Sequence, residues 1–340
     1  GMYMDNNEDN DPETIIKADC TFSFQFPKLA LLLPESGIYC KHFSILDIGL
    51  SPLSIEKEET CYYLADKTDI QPLIVPRGKF AHKGNFGRAF IVAGSHGKMG
   101  AAVLAARACL RTGVGLLTMR VPDCGIDVMQ ASVPEAMAHV GEYGRFAADT
   151  ENHAVGIGPG IGMSDEMKTL LQDLYSRCKP MVIDADALNL TAACEDLKAA
   201  LPANSILTPH PAEFDRLFGS PSPNGYRRLQ SARHFAQKHR VYIVLKGAYT
   251  AIITPESAVY FNPSGNPGMA TGGSGDVLTG ILTSLLAQGC QPLQACLLGV
   301  YLHGLAGDIA AERQSQHAML PSDLIDCLGR AYKAIQTEDQ

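Results

Sequence analysis

The stretch 262–280 (NPSGNPGMATGGSGDVLTG) is a glycine-rich loop that leads directly into an apolar helical pattern. Glycines let the backbone turn with positive φ and approach a ligand closely. The first turn of a helix offers unpaired N–H groups and a positive dipole end, which together bind anions such as phosphate. Asp276 lies at the junction, where its carboxylate would repel a phosphate. An acid at this position therefore needs a function, such as taking a proton from an attacking hydroxyl. The pattern therefore indicates phosphoryl transfer to an alcohol.

A structural role would explain part of the same pattern. Asp is a common helix-capping residue, so a tight turn before a helix capped by Asp276 would leave a similar sequence. The length of the glycine-rich loop argues against a plain turn, because fixing so flexible a segment costs much conformational entropy. No GK[ST] follows the glycines. The loop is therefore not a Walker loop, in which a lysine reaches the phosphates.

Apolar runs that alternate with helical patterns make up most of the chain. The runs predicted as strands are 88–93, 116–121, 154–157, 181–183, 205–207 and 241–245. Such alternation predicts an α/β fold whose mainly parallel central sheet is covered by helices on both faces. Residues 250–253 and 258–261 are predicted to form a hairpin beside it. The helices predicted to follow the glycine-rich loop cover 275–287, 292–312 and 321–336.

Polar and glycine-rich motifs follow most of the predicted strands. They lie at residues 94–100, 158–162, 184–189, 208–214 and 246–250. Ligands of such folds bind beyond the carboxyl ends of the strands, which favours one shared site. Lys246, between a strand and the hairpin, is placed where a lysine can contact a nucleotide phosphate. His210, fixed between two prolines at a strand end, is favoured as a functional residue over a structural one.

Each motif also has a plainer interpretation. The glycine motifs suit tight turns as well as ligand contact, and GSHGKMG at 94–100 is not the GxGxxG dinucleotide fingerprint. Asp184 and Asp186 could hold Mg²⁺ through water or orient a substrate, but capping of the next helix is an equal alternative for Asp186. Glu213 could simply cap the helix that follows it. Lys246 could simply be an exposed lysine at the start of the hairpin.

The composition narrows the class of protein. With 340 residues, 46% of them hydrophobic, the chain can bury one large α/β core beside an appendage. A net charge of −8 without a basic run argues against nucleic acid as a partner. No apolar stretch of membrane-spanning length lacks charge or glycine, and no signal peptide is visible. Ten cysteines without a CxxC pair indicate buried free thiols in a cytoplasmic protein.

The N-terminal region differs from the rest of the chain. Residues 1–12 are rich in Asp, Asn and Glu and are predicted to be disordered or a tag. Strand-like runs at 20–24 and 42–48 predict a short β-rich appendage that is too small for its own core. Residues 51–80 are predicted as a connector, because prolines interrupt regular structure there. The predicted division of the chain is 1–12, 13–70 and 71–337.

Taken in order, these motifs resemble the ADP- or ATP-dependent NAD(P)H-hydrate dehydratases, a branch of the ribokinase-like superfamily. The resemblance extends from about Lys83 to the C-terminal helix. The motifs that carry it are AGS (93–95), GPG (158–160), DADAL (184–188), LTPHP (207–211), LKG (245–247), GGSGD (272–276) and YLHG (301–304). One departure is Met99, where the family often has a proline.

The resemblance implies a lyase that repairs damaged cofactors. Reduced nicotinamide cofactors add water across a ring double bond. The enzyme would phosphorylate the resulting hydroxyl with ADP or ATP, and phosphate would then leave to restore NADH or NADPH. Its substrate would be the S-epimer of the hydrate (NADHX or NADPHX) and its metal Mg²⁺, with ligands that the resemblance does not specify. It also implies a homo-oligomer, a dimer or a tetramer.

Two other functions stay open at this point. The first is a small-molecule kinase for a sugar or a hydroxymethylpyrimidine-like alcohol, because the fold does not fix the substrate. The second is an adenine-nucleotide sensor without turnover. An acid kept against a phosphate site argues against the sensor, and the His210 and GPG motifs favour the dehydratase over the kinase.

The resemblance also assigns roles to individual residues. Asp276 would be the catalytic base. The anion hole for the transferred phosphoryl group would consist of Gly272, Gly273, Ser274 and Gly275. Residues in contact with the NAD(P)H hydrate would be Ala101, Gly160, His210 and Asp276. Residues in contact with the adenine nucleotide would be Lys246, Gly247, Ala248, Tyr249, Thr250 and Gly275.

A second resemblance concerns the appendage. Residues 16–22 and 46–50 resemble the closing segment of the NAD(P)H-hydrate epimerase domain, which many bacteria fuse ahead of the dehydratase. The bulk of that domain does not occur in this sequence. No epimerase activity is therefore predicted, and the appendage is expected to lack its packing partners.

Overall fold

The structure, a computed structural model, describes residues 2, 4–6, 8, 10–140, 153–177 and 179–337. The strands in these residues are β1 (Ala18–Phe24), β2 (Cys40–Leu46), β3 (Tyr62–Leu64), β4 (Arg88–Val92), β5 (Leu116–Arg120), β6 (Met137–His139), β7 (Ala154–Ile157), β8 (Met181–Ile183), β9 (Ile206–Leu207), β10 (Tyr242–Leu245), β11 (Ala251–Ile253) and β12 (Val259–Phe261).

The α-helices of the described chain range from single turns to 23 residues. They are α1 (Pro52–Ile55), α2 (Lys67–Ile70), α3 (Met99–Arg111), α4 (Ile126–Ser132), α5 (Asp165–Ser176), α6 (Ala185–Ala192), α7 (Glu195–Ala199), α8 (Pro211–Phe218), α9 (Gly225–His239), α10 (Ser274–Ala287), α11 (Pro292–Gln314) and α12 (Pro321–Gln336). The predicted strands and the three predicted C-terminal helices are confirmed to within a few residues at each end.

Within the described residues, ten strands form one sheet in the order β3-β12-β11-β10-β9-β8-β7-β4-β5-β6. The seven strands from β10 to β6 are parallel. Strands β11 and β12 form the predicted antiparallel hairpin beside β10. Parallel strands joined by helices require apolar residues on both faces of the sheet, which is why their sequences read as unbroken apolar runs.

Strand β4 shows how the two faces of the sheet are filled. Phe90 and Val92 enter a core that includes side chains of α5, α6, α8 and α9. Ala89 and Ile91 point to the opposite face and pack with α3. Helices α10, α11 and α12 cover β8 to β11 on that same opposite face. The predicted α/β architecture with helices on both faces is therefore confirmed.

Two strands of the large sheet were not predicted. Tyr62–Leu64 lies within the predicted connector, yet it pairs in parallel with β12 as the edge strand β3. Met137–His139 forms the opposite edge as β6. Both strands have three residues that are only partly buried or exposed. They therefore lack the apolar run that marks the buried strands.

The appendage is a parallel two-stranded sheet in which β1 pairs with β2. Leu32 and Leu33, in the segment between these strands, belong to the core formed with α5, α6, α8 and α9. The expectation that the appendage lacks packing partners is therefore wrong for this connecting segment. The outer face of the small sheet is exposed, with Phe22 at 64% and Phe24 at 60%.

Three further predictions concern the N-terminal residues, the cysteines and membrane-spanning segments. The prediction for residues 1–12 falls partly on positions 1, 3, 7 and 9, which lie outside the described residues, and the division of the chain stays a prediction. Cys178 also lies outside them; the nine described cysteines are free, but Cys20 and Cys124 are exposed, which corrects the expectation of buried thiols there. Helix α11 is long and apolar enough to cross a membrane, although it packs largely within the core.

Candidate active site

The predicted strand-end motifs lie side by side along one edge of the sheet. Backbone hydrogen bonds continue beyond the ends of the strands and join neighbouring motifs. They run from Gly94 N to Pro159 O (2.8 Å), Asp184 N to Ile157 O (3.0 Å), Thr208 N to Ile183 O (3.1 Å) and Lys246 N to Pro209 O (3.0 Å). The carboxyl ends of β4, β7, β8, β9 and β10 therefore present one continuous row of loops, as the parallel topology predicts.

Gly158 shows why this edge needs glycine. Its φ is +134°, and a Cβ built there would lie 1.8 Å from the carbonyl oxygen of Asp184. No side chain fits at that distance, and few residues other than glycine adopt such a φ. The close approach of the loops after β7 and β8 therefore depends on this glycine.

Asp184 is the buried centre of the site. Its side chain is 1% exposed and pairs through Oδ1 with Lys246 Nζ at 2.8 Å. The hydroxyl of Thr279, on α10, donates to its other oxygen at 2.7 Å. Buried carboxylates are stable only when paired and hydrogen-bonded, so this arrangement ties β8, β10 and α10 together.

The N-terminus of α10 faces this group. Gly273, with φ +99°, is the residue that precedes the helix, and no side chain caps it. A Cβ built on Gly275 would lie 3.1 Å from Lys246 Nζ. The first amides of α10, its positive dipole end and the Lys246 ammonium therefore converge, which is favourable for a phosphate group.

Asp276 lies in the first turn of α10, and its carboxylate has no hydrogen bond or ion pair within the described residues. The capping alternative for Asp276 is therefore wrong. Burial, and then the negative charge of Asp184, raise the pKa of Asp276 to about 6. Lys246 acts in the opposite direction. A carboxylate with a pKa near neutrality is well suited to accept a proton from a hydroxyl.

Helix α11 holds the glycine-rich loop in place. The carboxylate of Asp308 accepts hydrogen bonds from Gly265 N and Asn266 Nδ2, both at 2.9 Å. His303 Nε2 lies 3.0 Å from the carbonyl oxygen of Ser274. Burial lowers the pKa of His303 to about 4, so the imidazole is neutral near pH 7 and can donate to that carbonyl. Side chains of α11 thus fix both the glycine-rich loop and the start of α10.

Ala101 and Gly160 were both predicted to contact the hydrated cofactor, and the structure places them together. A Cβ built on Gly160 would lie 3.2 Å from the Cβ of Ala101. Asp186 stands beside them: its Oδ2 accepts from Gly162 N at 2.8 Å and lies 3.5 Å from Lys98 Nζ. Asp186 braces the loop after β7 and makes no side-chain cap of its own helix, which corrects the capping alternative.

His210 has a structural role in addition to any contact with substrate. Its Nδ1 accepts from Glu213 N at 3.3 Å, and the Glu213 carboxylate accepts from His210 N at 2.9 Å. The two residues thus form the capping box of α8, which agrees with the predicted cap role of Glu213. The imidazole is still 49% exposed, so the cap leaves part of the ring accessible.

The loop 246–250 joins β10 to β11 and was predicted to contact the adenine nucleotide. Its ends are fixed by the hydrogen bond from Lys246 N to Pro209 O and by one from Asn262 N to Thr250 O at 2.9 Å. Gly247 and Ala248 between them are exposed. The loop 246–250 is thus a partly exposed segment beside the α10 N-terminus, and we call it the ledge.

Two features of the candidate site escaped the sequence analysis. The Asp184–Lys246–Thr279 group joins residues up to 95 positions apart, and no local pattern signals such a partnership. Asp308 sits one turn beyond the YLHG motif at 301–304. The i+4 spacing of Gly304 and Asp308 on a helix was the available signal, because it places both on the face toward the loop.

Comparison with known proteins agrees with this geometry. A family model described as NAD(P)H-hydrate dehydratase matches residues 89–330. The ADP-dependent (S)-NAD(P)H-hydrate dehydratase of Bacillus subtilis is 32% identical over 78% of this chain and 96% of its own. The crystal structure of a B. subtilis ADP/ATP-dependent NAD(P)H-hydrate dehydratase, co-crystallised with ATP/Mg²⁺, matches with a TM-score of 0.69 at 30% identity, covering 80% of this chain and 98% of the other.

Longer relatives match the appendage as well. The bifunctional NAD(P)H-hydrate repair enzyme Nnr of Moorella thermoacetica is 38% identical over 95% of this chain, and the match covers 64% of the relative. This chain thus spans slightly less than two thirds of that relative's length. A ribokinase-like superfamily protein of Enterococcus faecalis matches in structure with a TM-score of 0.73 at 27% identity, over 82% of this chain and 99% of the other. The chain therefore belongs to the NAD(P)H-hydrate dehydratase family and has a ribokinase-like fold.

Proposed function

We propose that the protein dehydrates the S-epimer of NAD(P)H hydrate to NAD(P)H and consumes ADP or ATP in doing so. The observation that carries the proposal is Asp276. Its unpaired carboxylate, with a raised pKa, lies in the first turn of a helix whose amides suit a phosphate. A phosphoryl donor held there would bring a hydroxyl acceptor next to a base. The names of the relatives and the family model support the hydroxyl of the nicotinamide hydrate as that acceptor.

The proposed mechanism has two stages. Asp276 accepts the proton of the ring hydroxyl while the hydroxyl oxygen attacks the terminal phosphorus of the nucleotide. The amides of residues 272–275 and the positive end of α10 stabilise the charge on the transferred phosphoryl group. Phosphate then leaves with the electrons of the carbon–oxygen bond. Loss of a proton from the neighbouring ring carbon restores the double bond, so the net change is the loss of water at the expense of one phosphoanhydride.

The donor set at the strand ends fits a magnesium ion carried mainly by nucleotide phosphates. Within the described chain no three His, Cys, Asp or Glu side chains are grouped as a metal cage, and Mg²⁺ commonly uses one or two carboxylates with phosphates and water. Both oxygens of Asp184 are engaged, whereas Asp186 Oδ1 makes no hydrogen bond among the described residues. Asp186 would therefore help to hold the ion, whose charge would offset that of the phosphates.

The proposed function is tested by turnover. Purified protein is mixed with NADH hydrate, Mg²⁺ and either ADP or ATP, and the absorbance of NADH is followed. Restoration of NADH with either nucleotide is expected, and comparison of the two gives the nucleotide preference. A stable phosphorylated sugar or pyrimidine alcohol, with no NADH formed, would instead support the kinase alternative. A cytoplasmic location and a dimer or tetramer, with neither nucleic acid nor membrane as a partner, stay predictions.

The pH dependence of turnover follows from Asp276. The ionised carboxylate is the form that accepts a proton, and its pKa is raised to about 6. We therefore expect kcat/KM to rise with pH through about 6 and to level off above about 7. The measurement is the initial rate at subsaturating hydrate, with nucleotide saturating at every pH. A profile that is flat between about pH 5 and 7 would remove Asp276 as the base.

A further inference from the structure

The appendage touches the ledge beside the α10 N-terminus. The ring of Phe43, in the middle of β2, lies with its centroid 6.1 Å from that of Tyr249 and is tilted by 37°. Both residues are partly buried and pack against the core formed with α5, α6, α8 and α9. The residues that flank Phe43 on the strand, His42 and Ser44, are exposed. Phe43 is thus a side chain through which β2 meets this ledge.

The appendage is attached firmly enough to act as a support. Leu32 and Leu33 lie in the main core. The Glu35 carboxylate accepts from Gly225 N, at the first turn of α9, at 2.5 Å. Since the connecting segment is anchored in this way, the position of Phe43 is set by the main domain and not by the small sheet alone.

Tyr249 needs such support because of where it stands in the loop. Hydrogen bonds fix the two ends of the ledge, at Lys246 and Thr250, while Gly247 and Ala248 are exposed. Tyr249 is the large side chain of this loop, and burial raises the pKa of its phenol. An aromatic neighbour that restricts the Tyr249 ring would also restrict the backbone of this short loop.

We propose that Phe43 is a positioning residue for the adenine nucleotide: by packing on Tyr249 it holds the 246–250 loop in its nucleotide-binding shape. This inference rests on the proposed function, which assigns that loop to the nucleotide. The appendage would then contribute to nucleotide affinity, although it lies outside the matched residues 89–330.

The test measures nucleotide binding directly. The Kd of ADP with Mg²⁺ is determined by calorimetry for the full chain and for Phe43→Ala, and KM and kcat are measured alongside. We expect Phe43→Ala to raise Kd and KM about three- to tenfold, with a much smaller effect on kcat. Tyr249→Ala removes a proposed nucleotide contact as well as the partner of Phe43, so it should raise Kd at least as much, and the double variant should be little worse than Tyr249→Ala alone. Phe43→Tyr, which keeps the ring, should restore most of the affinity.

Phe24→Ala is the matched control, because Phe24 lies on the exposed outer face of the same sheet. It should leave the Kd of ADP unchanged. The inference is overturned if Phe43→Ala binds ADP as the unaltered chain does, or if Phe43→Tyr fails to recover an affinity that Phe43→Ala has lost. If the unaltered chain binds neither ADP nor ATP, the proposed function itself fails, and this outcome is distinct from the other two.

Discussion

Replacement of Asp276 by Asn is expected to lower kcat by about 10²- to 10⁴-fold while nucleotide affinity changes little. Asn preserves the shape of the side chain but cannot accept the proton of the hydroxyl. The amides of α10 that we propose to bind phosphate belong to the backbone, so the substitution leaves them in place. Single-turnover formation of NADH from its hydrate, together with calorimetric binding of ADP, separates the two effects. Full activity in Asp276→Asn would show that another group is the base.

The same substitution is expected to stabilise the fold near neutral pH. The folded-state pKa of Asp276 is raised from 3.8 to about 6, so the folded protein binds this proton more tightly than the unfolded chain does. Stability therefore falls as the pH rises from about 4 to about 6, and the cost of the charged form is fully present above that range. Removal of the charge should recover about 1–3 kcal/mol, or about 2–8 °C in Tm.

Thermal unfolding at two pH values checks this sign. Asp276→Asn should melt higher than the unaltered chain at about pH 7.5, and the difference should shrink to within about 1–2 °C at about pH 4, where the carboxyl is protonated in the folded state and close to half protonated in the unfolded chain. Asp326→Asn is the matched control, because Asp326 is an exposed carboxylate of α12. The control should melt within about 1 °C of the unaltered chain at both pH values. A lower Tm for Asp276→Asn near neutral pH would contradict the destabilising charge assigned to Asp276.

The fold could be predicted largely because burial on two faces leaves a strong trace in the sequence. Four of the five residues of strand β4 are buried, so its sequence is an apolar run. The glycine motif that follows marks the end of the strand. The edge strand β3 carries no such trace, since Tyr63 is exposed and Tyr62 and Leu64 are only partly buried. Its place beside β12, almost 200 residues later in the chain, is set by tertiary packing that a local pattern does not record.

The candidate site divides in a similar way. Glycine-rich turns and the acid at the start of α10 could be recognised, because their residue types are demanded by local backbone geometry. The partners of Asp184 could not, because Lys246 and Thr279 reach it from other elements of the fold. The capping alternatives for Asp186 and Asp276 were wrong for the same reason: the use of a carboxylate depends on what packs against it.

Removal of the Lys246 side chain tests this buried group and is expected to destabilise the protein strongly. In Lys246→Ala the 1%-exposed Asp184 carboxylate loses its ion pair and, among the described residues, keeps only the hydroxyl of Thr279. An unpaired buried charge costs about 3–5 kcal/mol, and the partly exposed ammonium reduces this to about 2–4 kcal/mol here. Loss of the cation should also raise the pKa of Asp276 further, because Lys246 lowers it in the intact site. Urea unfolding measures the first effect and the acid limb of kcat/KM the second.

A compensating change distinguishes a buried charge from a merely disturbed loop. In the double variant Lys246→Met with Asp184→Asn no unpaired charge remains, so most of the lost stability should return. Turnover should not return, because the cation next to the proposed phosphate site is still absent. Lys98→Ala is the matched control: its pair with Asp186 is longer, at 3.5 Å, and Lys98 is 56% exposed, so it should cost less than about 1 kcal/mol. Equal losses of stability for the two lysine variants would mean that Lys246 does not stabilise the buried Asp184 carboxylate. The influence of Asp184 and Lys246 on the pKa of Asp276 would then need another explanation.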